Sequence, residues 1–103
     1  MATPDWMTLA RSAEERGNQK QYAEASQLVE QALQLEPNCA VAHHVLGIIC
    51  LEQGRPQEAI DRLARALAIR PDLARSHHAM GRCRMFQGEP AVALEHFNRA
   101  LFL

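Results

Sequence analysis

Residues 40–71 read AVAHHVLGIICLEQGRPQEAIDRLARALAIRP, and this stretch decides the fold because much of it returns 34 residues later. The returning residues are mostly small, apolar or helix-terminating, and in the second copy they are Ala74, His77, His78, Gly81, Gln87, Gly88, Pro90, Ala93, Arg99, Ala100 and Leu101. A weaker copy comes before the stretch and contains Ala25, Ala32, Leu33 and Pro37. A fixed period of this length indicates stacked supersecondary units.

Length and composition are those of one small helical domain. The chain has 103 residues, of which 48% are hydrophobic but only 5% aromatic, and Ala and Leu dominate the apolar set. This composition favours packed helices over β-sheet, which prefers β-branched and aromatic residues. The net charge of −1 argues against nucleic-acid binding.

Helix start and stop signals predict about six helices. The first begins at Thr3-Pro4 and ends at Gly17-Asn18, because proline fits a first helical turn and glycine or asparagine tolerates the left-handed conformation at a helix end. The other five are predicted from about Tyr22 to Leu35, from Ala40 to Gln53, from Pro56 to just before Pro71, from Ala74 to Gln87, and from Pro90 onward. Short loops make consecutive helices antiparallel neighbours.

Cysteine usage and terminal sequence indicate a cytoplasmic protein. Cys39, Cys50 and Cys83 are an odd number with no close pairing, which predicts neither a disulfide framework nor a zinc knuckle and favours a reducing compartment. The N-terminus shows no basic stretch followed by an apolar run, and no run approaches the ~18 apolar residues of a membrane span. We expect no membrane association.

Two glycines lie inside predicted helices, where glycine costs about 0.5–1 kcal/mol relative to alanine. Gly47 and Gly81 occupy the same point of successive repeats, so the helices of each pair are expected to approach closely there. Ala59 and Ala93 are predicted to be the small residues that face them.

These residues together resemble the tetratricopeptide repeat family. The pattern in the second repeat is Leu46-Gly47, Gly54, Ala59, Leu63, Ala66 and Pro71, and the third repeat follows it with Met80-Gly81, Gly88, Ala93, Phe97 and Ala100. The resemblance implies an all-α fold of three helix-turn-helix repeats, at about residues 4–37, 38–71 and 72–103, stacked as a right-handed α-solenoid. His43 and His77 stand where the family usually has tryptophan.

The resemblance also implies a concave groove, lined by the first helix of each repeat, that binds a peptide or helix of another protein. Carried over to this sequence, the predicted partner-binding residues are His44, Ile48, Leu51, Glu52, Arg75, His78, Arg82, Met85 and Phe86. Some family members hold a C-terminal carboxylate with Lys and Asn side chains, but the matching positions here are Ala10, Glu14 and Val45. That carboxylate clamp is therefore absent.

Several groove residues have two interpretations. Arg75 and Arg82 lie two turns apart on one helix face and either bind an acidic peptide or form a solvated surface. Met85 and Phe86 either form an exposed apolar strip or are buried at helix contacts, and for Leu51 burial is the stronger expectation.

Neither a metal site nor an active site is expected. A metal site would need His44 and His78 together with Cys50 or Cys83. The two histidines are also explained as polar groups of the groove, and this interpretation is preferred. We therefore predict no metal and no cofactor. The chain has no glycine-rich phosphate loop, no HExxH motif and no recognisable nucleophile, so we predict that it is not an enzyme.

The chain stops in the apolar phase of its last helix, and no polar capping element follows. An apolar end face is therefore predicted from Leu94, Leu101, Phe102 and Leu103. Either more chain follows it in a longer protein, or the molecule self-associates through it. The sequence thus predicts a non-catalytic protein-interaction module, with an oligomerising or structural N-terminal segment of a larger protein as the alternative.

Overall fold

The computed structural model describes residues 5–103, which form six helices and no strand. These helices are α1 (Asp5–Asn18), α2 (Tyr22–Leu35), α3 (Ala40–Glu52), α4 (Pro56–Ile69), α5 (Ala74–Phe86) and α6 (Pro90–Leu101). The predicted all-α fold is confirmed, and the predicted ends of α3 and α5 are each one residue too late. The predicted start of α1 at Thr3-Pro4 lies outside the described residues.

The turn inside each helix pair contains one residue in the left-handed conformation. Gly54 has φ 77° and Gly88 has φ 74°, and each is followed two residues later by a proline that begins the next helix. Lys20 occupies the matching position of the first pair, with φ 62°. The predicted end of α1 at Gly17-Asn18 agrees with the structure, in which α1 ends at Asn18. The residue in the left-handed conformation, however, is Lys20 and neither of those two.

Contacts between helices make the stack curve. Each helix packs against its neighbour in the chain, and α3 also contacts both α1 and α5. Within residues 5–103, the second helices α2, α4 and α6 make no contact with one another. Because the first helices touch while the second helices stand apart, α1, α3 and α5 form the inner, concave side. The stack measures 46 × 26 × 20 Å.

Within the second and third pairs, the two helices approach each other closely at Gly47 and Gly81. A Cβ atom at Gly47 would lie 2.7 Å from Leu63 Cγ, and one at Gly81 would lie 2.5 Å from Phe97 Cε1. The predicted close approach is present, but the facing groups differ from those expected. Leu63 and Phe97 fill the space, and the nearest atom of Ala59 is its carbonyl oxygen at 3.3 Å.

Two histidines lie in the core at matching positions of the second and third repeats. His43 and His77 are buried, and each Nε2–H donates a hydrogen bond of 3.0 Å to the carbonyl of Pro37 or Pro71. Each hydrogen bond joins a first helix to the turn that precedes it. The buried ring therefore fills space in the core and also satisfies a backbone carbonyl. No helix in the described part of the chain is long and apolar enough to cross a membrane.

Candidate partner-binding groove

Two neighbouring cavities lie along the inner side of the stack, and all nine predicted partner-binding residues line one or both of them. The first, of about 370 Å³, is lined by His44, Ile48, Glu52, Arg75, His78 and Arg82 together with residues of α1 and its following turn. The second, of about 470 Å³, is lined by Leu51, Glu52, Gly54, Arg82, Met85, Phe86 and Phe97. Glu52 and Arg82 border both cavities. We call this surface the groove.

Two of the nine residues form the floor of the groove instead of a surface that a partner could cover. His44 is 5% exposed and Leu51 is 3% exposed. Leu51 packs in the apolar cluster of α3, α4 and α5, as the alternative interpretation expected. His44 faces α5, where its Nδ1 lies 2.8 Å from the hydroxyl oxygen of the fully buried Ser76. Burial lowers the pKa of His44 to about 4, so its ring is neutral at pH 7.

The two groove arginines pair with acids of the chain itself. Arg75 of α5 forms an ion pair with Glu14 of α1, and Arg82 Nη2 lies 2.8 Å from Glu52 Oε2 of α3. Both pairs cross between first helices, and the arginine side chains remain 54% and 44% exposed. An incoming carboxylate would therefore compete with Glu14 and Glu52 for these guanidinium groups.

An exposed apolar strip lies at the end of the groove that is formed by the last residues of α5, Met85 and Phe86. Met85 is 54% exposed and Phe86 is 66% exposed, so these side chains are not buried at helix contacts. The cavity beside them has Leu51 in its floor and Phe97 of α6 in its wall. Phe97 also contacts the ring of His78, with a centroid distance of 5.2 Å. This end of the groove can therefore receive an apolar side chain.

Sequence reasoning missed the contribution of the α1–α2 turn. Asn18, Lys20 and Tyr22 line the first cavity opposite α3 and α5. They lie there because the end of α1 packs against α3, where a Cβ at Gly17 would be 3.8 Å from Val45 Cγ1. The prediction lacked them because its nine residues all come from α3 and α5, whereas Asn18 ends α1, Lys20 lies in the turn and Tyr22 begins α2.

The predicted end-face residues are all solvent-exposed. Leu94 is 58% exposed, Leu101 76%, Phe102 87% and Leu103 58%. Leu101, Ala100, Phe97 and His78 border a shallow cavity of about 520 Å³ at this end. The equivalent surface of α4, where Ala66 is fully buried, is covered by α5.

The cysteines and histidines are dispersed in the structure. Cys39, Cys50 and Cys83 are free and buried, and burial raises the pKa of the Cys50 and Cys83 thiols. Their sulfurs are therefore protonated at pH 7, a state unsuited to nucleophilic attack. Among residues 5–103, no three His, Cys, Asp or Glu side chains converge in a way that could hold a metal ion.

Three stacked helix pairs with an inner row of first helices define a helical-repeat protein of the solenoid class. The sequence profile described as the tetratricopeptide repeat matches residues 18–83 and 51–102. The chain belongs to the tetratricopeptide repeat family. No curated protein sequence matches it.

Solved structures of the same fold agree with this assignment. MamA superposes with a TM-score of 0.76 at 20% identity, covering 93% of this chain and 56% of MamA. MamA AMB-1 gives a TM-score of 0.72 at 27% identity, covering 88% of this chain and 50% of that one. The chain thus spans about half the length of these MamA chains.

A third similar structure contains a bound peptide. The second tetratricopeptide repeat domain of Spaghetti (RPAP3), bound to the HSP90 peptide SRMEEVD, superposes with a TM-score of 0.76 at 19% identity. The superposition covers 98% of this chain and 99% of that domain. At this identity the likeness shows a shared fold.

Proposed function

We propose that this chain is a non-catalytic protein-interaction module that docks a peptide or a helix of another protein in its groove. The observation that carries the proposal is the exposed apolar strip of Met85 and Phe86 beside a cavity on the concave side. A side chain buried there would gain roughly 1.5–3 kcal/mol by leaving water. The RPAP3 domain of the same fold holds a peptide, which supports peptide binding as the kind of work done here.

Charge in the groove favours a partner with acidic residues close to its apolar anchor. Arg75 and Arg82 are half-exposed and can exchange their present carboxylate partners for those of a ligand. Such an exchange adds little affinity in itself, because exposed ion pairs contribute about 0–1 kcal/mol. The paired arginines therefore act mainly on specificity, and the apolar strip supplies most of the affinity.

Two further features agree with a binding role in the cytoplasm. The net charge of −1 gives no electrostatic drive toward nucleic acid. The buried, protonated thiols offer no nucleophile. They also fit a reducing compartment, where free cysteines persist.

The experiment compares proteins captured by the immobilised chain and by two variants. Met85→Ser with Phe86→Ser removes the apolar strip, whereas Leu35→Ser removes an equally exposed leucine that lies outside the groove, at the end of α2. We expect quantitative mass spectrometry of extracts from cells that express the protein to show partners lost with the groove variant and kept with the control. Partners retained equally by both variants would refute groove binding.

A second candidate function is association through the end face. The face exposes Leu94, Leu101, Phe102 and Leu103, whereas the matching surface of α4 is covered by another helix. Within the chain, the second helix of a repeat is covered by the first helix of the next repeat, as α4 is covered by α5. We propose that, in solution, a second copy of this chain supplies the equivalent cover.

A further inference from the structure

A third cavity lies at the edge of the groove, and its walls combine apolar and cationic groups. Of the nine predicted groove residues, Arg75 alone lines it. The cavity has a volume of about 370 Å³ and lies between α1, the start of α3, the end of α4 and the start of α5. Its lining is Trp6, Met7, Ala10, Arg11, Glu14, Asn38, Cys39, Ala40, Val41, Ile69, Arg70 and Arg75. We call it the edge cavity.

The charges of the edge cavity oppose the charge of the whole chain. Its lining contains three arginines and one acid, Glu14, whereas the chain carries a net charge of −1. Arg75 forms an ion pair with Glu14. Arg70 Nε lies 3.8 Å from Oδ1 of Asp72, whose carboxylate is largely exposed to solvent. Arg11 forms no ion pair within residues 5–103. The cavity therefore keeps a cationic excess.

The start of α3 adds partial positive charge at the same place. Cys39 is the N-cap of this 13-residue helix and makes no side-chain hydrogen bond to the first turn. The first backbone N–H groups of a helix have no partner within the helix, and they carry the positive end of its dipole. Cys39, Ala40 and Val41 at the start of α3 line the same cavity as Arg11 and Arg70.

We propose that the edge cavity binds an apolar side chain of a partner peptide that is flanked by acidic residues. The apolar lining, including Trp6, Val41 and Ile69, would bury the side chain, while Arg11, Arg70 and the start of α3 would attract the flanking carboxylates. The inference deepens the proposed groove function and rests on it, since the same partner would continue along α5 toward Met85.

Trp6 provides a direct readout, because it is the chain's single tryptophan and it lines the cavity. The probe is a synthetic pentapeptide with leucine between two glutamates and glycine at both ends, acetylated and amidated to remove terminal charges. Titration of the chain with this peptide should give a saturable change in tryptophan fluorescence. Replacing both glutamates by glutamine should weaken binding about threefold to tenfold, and replacing leucine by glycine should weaken it about tenfold or more.

Protein variants give the matched comparison. Arg11→Gln with Arg70→Gln removes two cavity cations, and Arg62→Gln with Arg65→Gln makes the same charge change on α4, away from the cavity. We expect the first pair to weaken binding of the glutamate peptide about threefold to tenfold and the second pair to leave it unchanged. Circular dichroism melts check that both variants fold.

Three results would overturn the proposal: no fluorescence change at millimolar peptide, equal affinity for the glutamate and glutamine peptides, or equal weakening by both arginine pairs. The peptide comparison uses the unaltered chain, so the proposal remains testable if a variant unfolds. Failure here is separable from failure of groove binding. Partners lost on changing Met85 and Phe86 would still support the groove, even if Trp6 never responds.

Discussion

At the scale of single residues, His44 shows how burial changes the chemistry of a side chain. The family resemblance implies a place on the surface of the groove, but His44 is 5% exposed. The ring lies between α3 and α5, hydrogen-bonded to Ser76, and burial lowers its pKa from 6.5 to about 4. An unfolded chain therefore binds a proton at His44 between pH 6.5 and 4 while the folded chain does not. Stability from the neutral ring is complete above pH 6.5 and is lost as pH falls toward 4.

We predict that acidification from pH 7.5 to 5.0 costs the wild type about 2 kcal/mol more unfolding free energy than it costs a His44→Gln variant. Glutamine keeps a polar group for Ser76 but does not titrate, so the comparison cancels contributions from the other histidines. Urea unfolding at the two pH values provides the measurement. Equal losses in both proteins would show that His44 is not held neutral.

How far the sequence predicts single residues depends on what decides their burial. The family resemblance names residues that line the two cavities of the groove, because it indicates which helix face turns inward. It does not say that His44 and Leu51 lie too deep for a partner, since depth depends on the neighbouring helix. Nor does it reveal that Glu14 and Glu52 pair with Arg75 and Arg82, because each pair joins two different repeats.

At the scale of the helix pair, the turn between the two helices needs one residue in the left-handed conformation. Gly54 and Gly88 adopt it without a Cβ penalty, whereas Lys20 adopts it with φ 62°. The sequence predicts the left-handed conformation at Gly17-Asn18, because Gly17 offers a more obvious helix end. The available signal was the repeat period, because Lys20 lies 34 residues before Gly54, which in turn lies 34 residues before Gly88.

We predict that Lys20→Gly stabilises the fold by about 1 kcal/mol, because it relieves the strain of a left-handed residue that carries a Cβ. Lys20→Ala is the matched control, since it removes the same charge and keeps the Cβ. Thermal and urea unfolding of both variants would measure the difference. A Lys20→Ala variant as stable as Lys20→Gly would mean that lost charge, and not backbone strain, explains any gain.

At the scale of the whole molecule, the number of neighbours decides what each repeat leaves exposed. The middle repeat is covered on both sides, so Ala66 is fully buried and Leu67 is half-buried. The matching residues of the last repeat are the half-buried Ala100 and Leu101, which is 76% exposed. The difference arises because α5 packs against α4, whereas no further helix of the described residues packs against α6 in the same way.

We predict that the chain self-associates through its end face, because stacking a second copy there would bury the apolar side chains that α5 covers in the preceding repeat. Sedimentation of the wild type over a wide concentration range should show species larger than a monomer. Leu101→Ser with Phe102→Ser should stay monomeric, while Leu35→Ser should associate like the wild type.

The form of the association follows from which surfaces meet. Two end faces in contact would satisfy each other and give a closed dimer, whereas an end face against α1 of the next copy would leave a free end and allow growth. A mass that stops at two copies indicates the first arrangement, and a mass that keeps rising with concentration indicates the second. A monomer at every concentration, unchanged by the serine variant, would contradict self-association and leave the groove as the proposed interaction surface.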